Sequence, residues 1–92
     1  MIIKRDRVGI IRDILQIIKE KGNRINPTGI MYKANLSHKM LIEYLNETIT
    51  KGFIAEEIDK NKKKTYSLTP RGYKFLDDYE TIRKFFDSYG LN

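Results

Sequence analysis

The sequence predicts a mainly α-helical domain of the α+β class, with four helices and one small β-hairpin. Three features predict this class: stretches with apolar residues at helical spacing, two short stretches of strand character around a lysine-rich loop, and a final stretch with apolar residues alternately four and three positions apart. A chain of 92 residues is long enough for one compact domain and too short for two independently stable ones.

The first helix is predicted from about Asp6 to Lys21. Apolar residues recur at helical spacing between Ile10 and Ile18, and polar residues take the opposite side. Gly22 and Asn23 then end the helix, because both residue types tolerate the left-handed conformation found at helix C-termini. A short second helix is predicted to begin at Pro27, whose missing N–H is not needed in a first turn.

A third helix is predicted from about His38 to Lys51, after a turn at residues 35–36. Ser37 is a good N-cap, because its hydroxyl can accept a hydrogen bond from an amide in the first turn. Gly52 is the expected C-cap. The predicted inward stripe of this helix consists of Leu41, Leu45 and Ile49, and Tyr44 and Thr48 border it.

A β-hairpin is predicted next, because "FIAEEI" and "TYSL" have strand character and flank the polar loop "DKNKKK". The loop lacks the Asn-Gly or Asp-Gly pair that would specify a turn type. Tyr66 lies on the second strand, where a place in the core is favoured over a surface contact.

The last helix is predicted to begin with Thr69 as N-cap and Pro70 in the first turn, and to end at Gly90. Its apolar side chains have the heptad spacing of a coiled-coil seam. We expect this seam to form a dimer interface; its residues are Phe75, Tyr79, Ile82, Phe86 and Tyr89.

This order of helices and strands is that of a winged helix-turn-helix, in which the hairpin is the wing. We predict that residues 1–69 form a DNA-binding domain and that residues 70–92 form a C-terminal dimerisation helix. An alternative for the aromatic stripe is that it folds back on the first helix, and Phe75 and Tyr79 are the residues that the core could use.

Two segments, "IMYKANLSHKMLIEYLNETITKGFI" and "YSLTPRGYKFL", resemble the small stand-alone winged-helix proteins of archaea, which include ten-kilodalton chromatin-associated proteins of Sulfolobus. The resemblance is strongest at "ANLS", "KGFI" and "LTPRG". It implies binding to double-stranded DNA, with the third helix in the major groove, the lysine loop as the wing, and an antiparallel coiled-coil dimer. The last helix is shorter here than in the longest members, which implies a small dimer interface.

Positive charge is concentrated in two places, although the whole chain carries a formal +6. Residues 1–36 carry +5 and residues 59–69 carry +3, whereas residues 37–58 carry −2. Phosphate contacts are therefore predicted outside the third helix. They are Lys60, Lys62, Lys63 and Lys64 in the loop, Lys4, Arg5 and Arg7 near the N-terminus, and Lys33 before the turn. The alternatives are a solubilising hairpin edge and an N-terminus frayed in solvent.

The third helix offers a candidate base-reading surface at its N-terminus and on its outer side, where side chains of helix-turn-helix proteins reach base edges. Glu43 and Glu47 would repel phosphates, so this helix is not expected to supply most of the affinity. The alternative is a set of ordinary solvated positions. The candidate residues are Ser37, His38, Lys39 and Asn46.

Enzymatic, metal and cofactor functions are not expected. The chain has no cysteine and a single histidine, His38, and no carboxylates are spaced for acid-base work. No apolar run approaches the roughly 20 residues of a membrane span, and the N-terminus has no signal-peptide pattern, so we expect a cytoplasmic protein.

We therefore interpret the chain as a double-stranded DNA-binding protein, with a transcription regulator favoured over a chromatin-coating protein. The alternative of another class is a winged-helix module that binds proteins and not DNA. The sequence does not indicate a target site or a small-molecule effector.

Overall fold

The computed structural model describes residues 6–91 as a winged helix-turn-helix, which confirms the predicted fold class. The helix-turn-helix consists of α2 and α3, the two strands form the wing, and α4 follows the wing directly. The elements in chain order are α1 (Arg7–Glu20), α2 (Pro27–Ala34), α3 (His38–Thr50), β1 (Ile54–Ile58), β2 (Lys64–Leu68) and α4 (Pro70–Ser88).

Every helix begins with a side-chain cap, which satisfies one of the amides that a helix N-terminus leaves without a partner. Ser37 Oγ accepts from the amide of Met40 at 3.1 Å, and Thr69 Oγ1 accepts from Gly72 at 3.1 Å, as the sequence predicted. The other two caps are Asp6, whose Oδ1 lies 2.7 Å from the amide of Gly9, and Asn26, whose Oδ1 lies 2.8 Å from that of Gly29.

The helix ends fall close to their predicted places. Asn35 has a φ of 55° and turns the chain sharply between α2 and α3. Gly52 has a φ of 77°, and the amide of Phe53 donates to the carbonyl of Thr48 at 2.9 Å, which closes the end of α3. The two turns set the length of the third helix, which is one residue shorter than predicted.

The hydrophobic core lies between α1 and the inner sides of the other elements. The inward stripe of α3 differs from the prediction: Leu41, Leu45 and Thr48 are buried, and Ile49 is only partly buried. The buried residues are spaced by four and then three positions. This spacing follows the 3.6-residue period of a helix more closely than the two steps of four that were predicted. Thr48 is tolerated there because its hydroxyl donates to the carbonyl of Tyr44 at 2.8 Å.

The sheet contains one element that the sequence did not reveal. β1 and β2 pair antiparallel from Ile54 opposite Leu68 to Ile58 opposite Lys64. Ile25 forms an additional bridge with Tyr66, whose amide donates to the carbonyl of Ile25 at 3.0 Å. A single bridging residue has no alternating pattern, so it could not be recognised as a strand.

Tyr66 is buried, as the sequence favoured. Its hydroxyl donates to Glu56 Oε2 at 2.8 Å, across the register of the two strands. Burial raises the pKa of Tyr66 above its usual value, and the hydrogen bond to Glu56 acts in the same direction. The side chain therefore stays protonated and acts as a structural part of the wing.

The first half of α4 packs on the domain and the second half leaves it. Gly72 and Leu76 are buried, the ring centroid of Phe75 lies 5.1 Å from that of Phe53, and Tyr79 stacks on Phe75 at 6.2 Å. Residues 81–91 are exposed throughout. Of the two aromatic residues that the alternative assigned to the core, Phe75 therefore packs on Phe53 and the core, while Tyr79 stacks on Phe75 within α4.

We predict that Gly72→Ala destabilises the fold by about 1–3 kcal/mol, the usual cost of overpacking. A β-carbon at this position would overlap the backbone carbonyl oxygen of Phe53, which cannot rotate away as a side-chain end could. The measurement is the urea-unfolding midpoint by circular dichroism at one fixed protein concentration. Lys74→Ala, on an exposed position two residues further along α4, is the control and should change the free energy of unfolding by less than about 0.5 kcal/mol. Equal midpoints for the two variants would contradict the packing described here.

Candidate nucleic-acid interface

The outer side of α3 is exposed along its whole length. At its N-terminus His38 and Lys39 are both exposed, while the hydroxyl of Ser37 is engaged as the helix cap. Asn46, two turns further, is exposed on the same side. The structure thus places the predicted base-reading residues on one helix, along the surface that faces away from the core.

An exposed apolar residue of α3, Ile42, was not predicted as a contact. Ile42 is 45% exposed, although it lies next to the buried Leu41. The step of 100° from one helical residue to the next carries its side chain away from the inward stripe. The sequence contained this signal, because Ile42 does not match the spacing of the inward stripe. It was missed because an isoleucine is usually assigned to a core.

The acidic character of α3 is partly offset by α1. The guanidinium of Arg7 forms an ion pair with the carboxylate of Glu47, whose side chain is only 17% exposed. Arg7 was predicted as a phosphate contact, and the structure places it against α3 instead of projecting it from the N-terminus. Two other predicted contacts, Lys4 and Arg5, lie outside the described residues.

The wing tip brings four predicted residues together. Lys60, Lys62 and Lys63 lie on the tight loop between the strands, Lys64 is the first residue of β2, and all four are exposed. Like charges so close repel each other, and none of the four contributes to the core. The tip is therefore the densest cluster of positive charge in the described part of the chain.

A single aspartate shapes this tip. The carboxylate oxygen Oδ1 of Asp59 accepts from the amides of Asn61 at 2.8 Å and Lys63 at 2.9 Å. The Asp59 carbonyl also accepts from the amide of Lys62, a residue with a left-handed φ of 62°. Hydrogen bonds to the Asp59 side chain therefore order this loop, whereas shorter hairpin turns are ordered by a glycine-containing pair.

Lys33 is exposed in the last turn of α2, just before the turn that leads to α3. Its neighbour Tyr32 is 75% exposed and was not predicted as a contact. The helix-turn-helix therefore presents a basic and an aromatic side chain on α2 in addition to the outer side of α3.

A separate apolar surface covers the protruding end of α4. Three predicted seam residues, Ile82, Phe86 and Tyr89, are exposed there, whereas Phe75 packs on the domain and Tyr79 stacks on Phe75 within the helix. The aromatic ring of Phe85 lies 5.6 Å from that of Phe86 and 5.2 Å from that of Tyr89, by centroids. Phe85 is 58% exposed and was missed because a strict heptad seam leaves its position out. We call these exposed residues the α4 tail stripe: Ile82, Phe85, Phe86 and Tyr89.

Other kinds of site find little support in the described residues. Among residues 6–91, no three His, Cys, Asp or Glu side chains are grouped as they would be to hold a metal ion. A cleft between the loop after α1 and the wing is lined by residues such as Arg24, Glu57 and Thr65. In the same part of the chain, no helix is both long and apolar enough to cross a membrane.

Sequence comparison matches residues 4–86 to a family described as winged helix-turn-helix. Two similar proteins come from Methanocaldococcus jannaschii, and both are named as uncharacterised proteins. MJ0287 is 39% identical over 84 residues, which cover 91% of this chain and 76% of that protein. MJ0290 is 34% identical over 80 residues, which cover 87% of this chain and only 35% of the longer relative.

Structural comparison gives matches of the same fold at lower identity. Sso10a-2, a DNA-binding protein from Sulfolobus solfataricus, superimposes with a TM-score of 0.75 at 20% identity, over 94% of this chain and 90% of that chain. MepR, a transcription regulator of a Staphylococcus aureus multidrug efflux pump, gives 0.79 at 14% identity, over 90% of this chain and 62% of that chain. At such identities the likeness concerns the fold.

We predict that Asp59→Ala loosens the wing tip without unfolding the domain, because it removes the acceptor of two loop amides. Backbone order parameters from 15N relaxation at Asn61 and Lys63 should fall toward about 0.6 or below, the range of flexible loops. Asp59→Asn is the matched control, since its amide oxygen can still accept both bonds. Unchanged order in the alanine variant would show that strand pairing alone shapes the tip.

Proposed function

Because the chain belongs to the winged helix-turn-helix family, we propose that it binds double-stranded DNA and acts as an archaeal transcription regulator. The observation that carries this proposal is the wing tip, where three exposed lysines lie on a loop ordered by the carboxylate of Asp59 and a fourth, Lys64, begins β2. A cluster of this kind attracts the phosphate backbone, because each neutralised phosphate releases a condensed counterion.

The wing and α3 have complementary roles in this proposal. The wing lysines supply affinity that does not depend on sequence, and Lys33 adds a contact from α2. The N-terminus and outer side of α3 enter the major groove with His38, Lys39 and Asn46. The ion pair between Arg7 and Glu47 supports this arrangement, since it offsets a carboxylate that would otherwise oppose the approach of phosphates.

The likeness to two DNA-related proteins is consistent with this role. Sso10a-2 is described as a DNA-binding protein and MepR as a transcription regulator, and both share the fold with this chain. A winged helix is typical of binding proteins rather than of enzymes, and we assign no catalytic activity to the chain.

We further propose that the protein is a homodimer joined through the α4 tail stripe. Several exposed aromatic rings on one side of a protruding helix form an apolar patch of a kind that usually marks an interaction site. The helix itself is supported by pairs along its own surface, with Lys74 Nζ 3.2 Å from Asp78 and Arg83 Nη2 2.8 Å from Glu80. A second copy supplies a matching stripe, so that residues 1–69 bind DNA and the exposed part of residues 70–92 forms the interface.

The DNA-binding proposal predicts that replacing Lys62, Lys63 and Lys64 with alanine makes binding weaker and less sensitive to salt. With about 0.9 counterions released per phosphate, the slope of log affinity against log salt should become shallower by up to about 3. The measurement is fluorescence anisotropy of a labelled random-sequence duplex across a salt series.

A charge-matched control separates a wing effect from a general loss of positive charge. Alanine replacements of Lys19, Lys21 and Lys84, which lie on α1, just after α1, and on α4, remove the same three charges away from the wing. This variant should retain the wild-type slope to within about 1. The phosphate-clamp role would be wrong if the two triple variants had the same slope. Absence of duplex binding by the wild-type chain at low salt would favour a protein-binding module.

The dimer proposal predicts that Phe86→Ser combined with Tyr89→Ser yields a monomer, because both changes remove apolar area from the α4 tail stripe. Light scattering after size exclusion measures the mass. A control with Lys84→Ala and Asp87→Ala changes the opposite side of the same helix, at 100° per residue, and should remain dimeric. A wild-type monomer at high protein concentration would overturn the dimer.

A further inference from the structure

The exposed side of α3 is close to electrically neutral. It presents one cation, Lys39, and one anion, Glu43, together with Ile42, Asn46 and Thr50. From Met40 to Thr50 the helix contains no lysine or arginine. A surface of this composition is poorly suited to phosphate neutralisation, which depends on lysine and arginine. Its apolar and amide groups suit the floor of the major groove instead.

Ile42 and Asn46 are neighbours on this surface. They lie four residues apart in a helix, which separates them by about 6 Å along the axis and turns them by only about 40°. Because base pairs are stacked at about 3.4 Å, this separation corresponds to roughly two base-pair steps. The two side chains can therefore reach base pairs that are adjacent or nearly so.

The chemistry of the two side chains points to A·T pairs. Thymine carries a 5-methyl group in the major groove, and an exposed apolar side chain is its natural contact. Adenine presents N7 as an acceptor and N6 as a donor, and the amide of an asparagine can engage both at once. Glu43, beside them, repels phosphates and accepts only from a donor such as the amino group of cytosine. Glu43 therefore disfavours binding positions in which α3 lies against the DNA phosphate backbone.

We propose that Ile42 and Asn46 make this protein sequence-selective, with Ile42 contacting a thymine methyl group and Asn46 reading a nearby adenine. The inference rests on the proposed function and deepens it. It assigns to the chain a preferred site containing A·T pairs, in contrast to a protein that coats DNA without discrimination. Ile42 is then a specificity-determining residue, and the wing lysines supply the affinity common to all duplexes.

The test begins with selection of preferred sequences from a pool of random duplexes by the full wild-type chain. Each thymine of the selected site is then replaced by deoxyuridine, which lacks only the 5-methyl group. The wild-type affinity should fall about three- to fourfold at one position in each half-site, the effect of exposing one methyl group. Ile42→Ala should bind the thymine and uracil duplexes equally.

Asn46→Ala should lose about tenfold or more in preference for adenine at one position of the selected site. Thr50→Ala, another exposed residue of α3, is the control and should retain both preferences. Circular dichroism of the three variants should match wild type, because all three positions are exposed.

The outcomes distinguish the inference from the function on which it rests. Absence of duplex binding at low salt overturns the proposed function itself. Binding with no selected sequence, or with a uracil effect that persists in Ile42→Ala, overturns the base-reading roles while leaving DNA binding intact. A uracil effect that disappears in Ile42→Ala, with an adenine preference that disappears in Asn46→Ala, supports the inference.

Discussion

The carbonyl oxygen of Phe53 accepts a hydrogen bond from the amide of Thr69 at 3.1 Å and lies directly against Gly72. This contact joins the segment after α3 to the first turn of α4. Arg71 strengthens the joint, since its Nε donates to the carbonyl of Lys51 at 2.9 Å and its guanidinium lies 5.2 Å from the centre of the Phe53 ring. Because the joint holds both helices, it fixes the direction of the candidate DNA-reading surface relative to the protruding α4 tail stripe.

The regulatory role proposed above requires this kind of rigidity. In a symmetric dimer, the position of each reading helix depends on the angle at which α4 leaves its domain, and half-sites on DNA are separated by about one helical turn or a multiple of it. Buried contacts close to the joint, such as those of Phe75 and Leu76, limit movement of α4 at its base. Further along, residues 81–91 are all exposed, which leaves them available to a partner.

Charge is distributed among the elements in keeping with different roles. The wing tip concentrates lysines on a loop that projects from the sheet, whereas the exposed side of α3 is nearly neutral. Residues 70–92 carry as many acidic as basic residues, so two copies of α4 can approach each other without strong repulsion. The net charge of +6 for the whole chain therefore does not reveal that the positive charge is concentrated in a few places.

Local rules explain what could be predicted from the sequence. Ser37 and Thr69 cap helices through their own first turns, and the order of helices and strands followed from apolar spacing over short windows. The missed features depend on partners far along the chain or on geometry within a loop. The bridge of Ile25 needs Tyr66, which is 41 positions away, and the role of Asp59 becomes visible only when the loop is folded around its carboxylate.

Residue type and spacing along single elements were enough to predict the winged helix-turn-helix order, the place of the lysine wing and the existence of an aromatic last helix. Which side chains remain exposed became clear from the packing of the elements. Phe75 packs on Phe53, Phe85 and Phe86 remain exposed, and Arg7 forms an ion pair with Glu47. The physical reason is that burial and ion pairing depend on what a neighbouring element supplies, and periodicity within one helix does not contain that information.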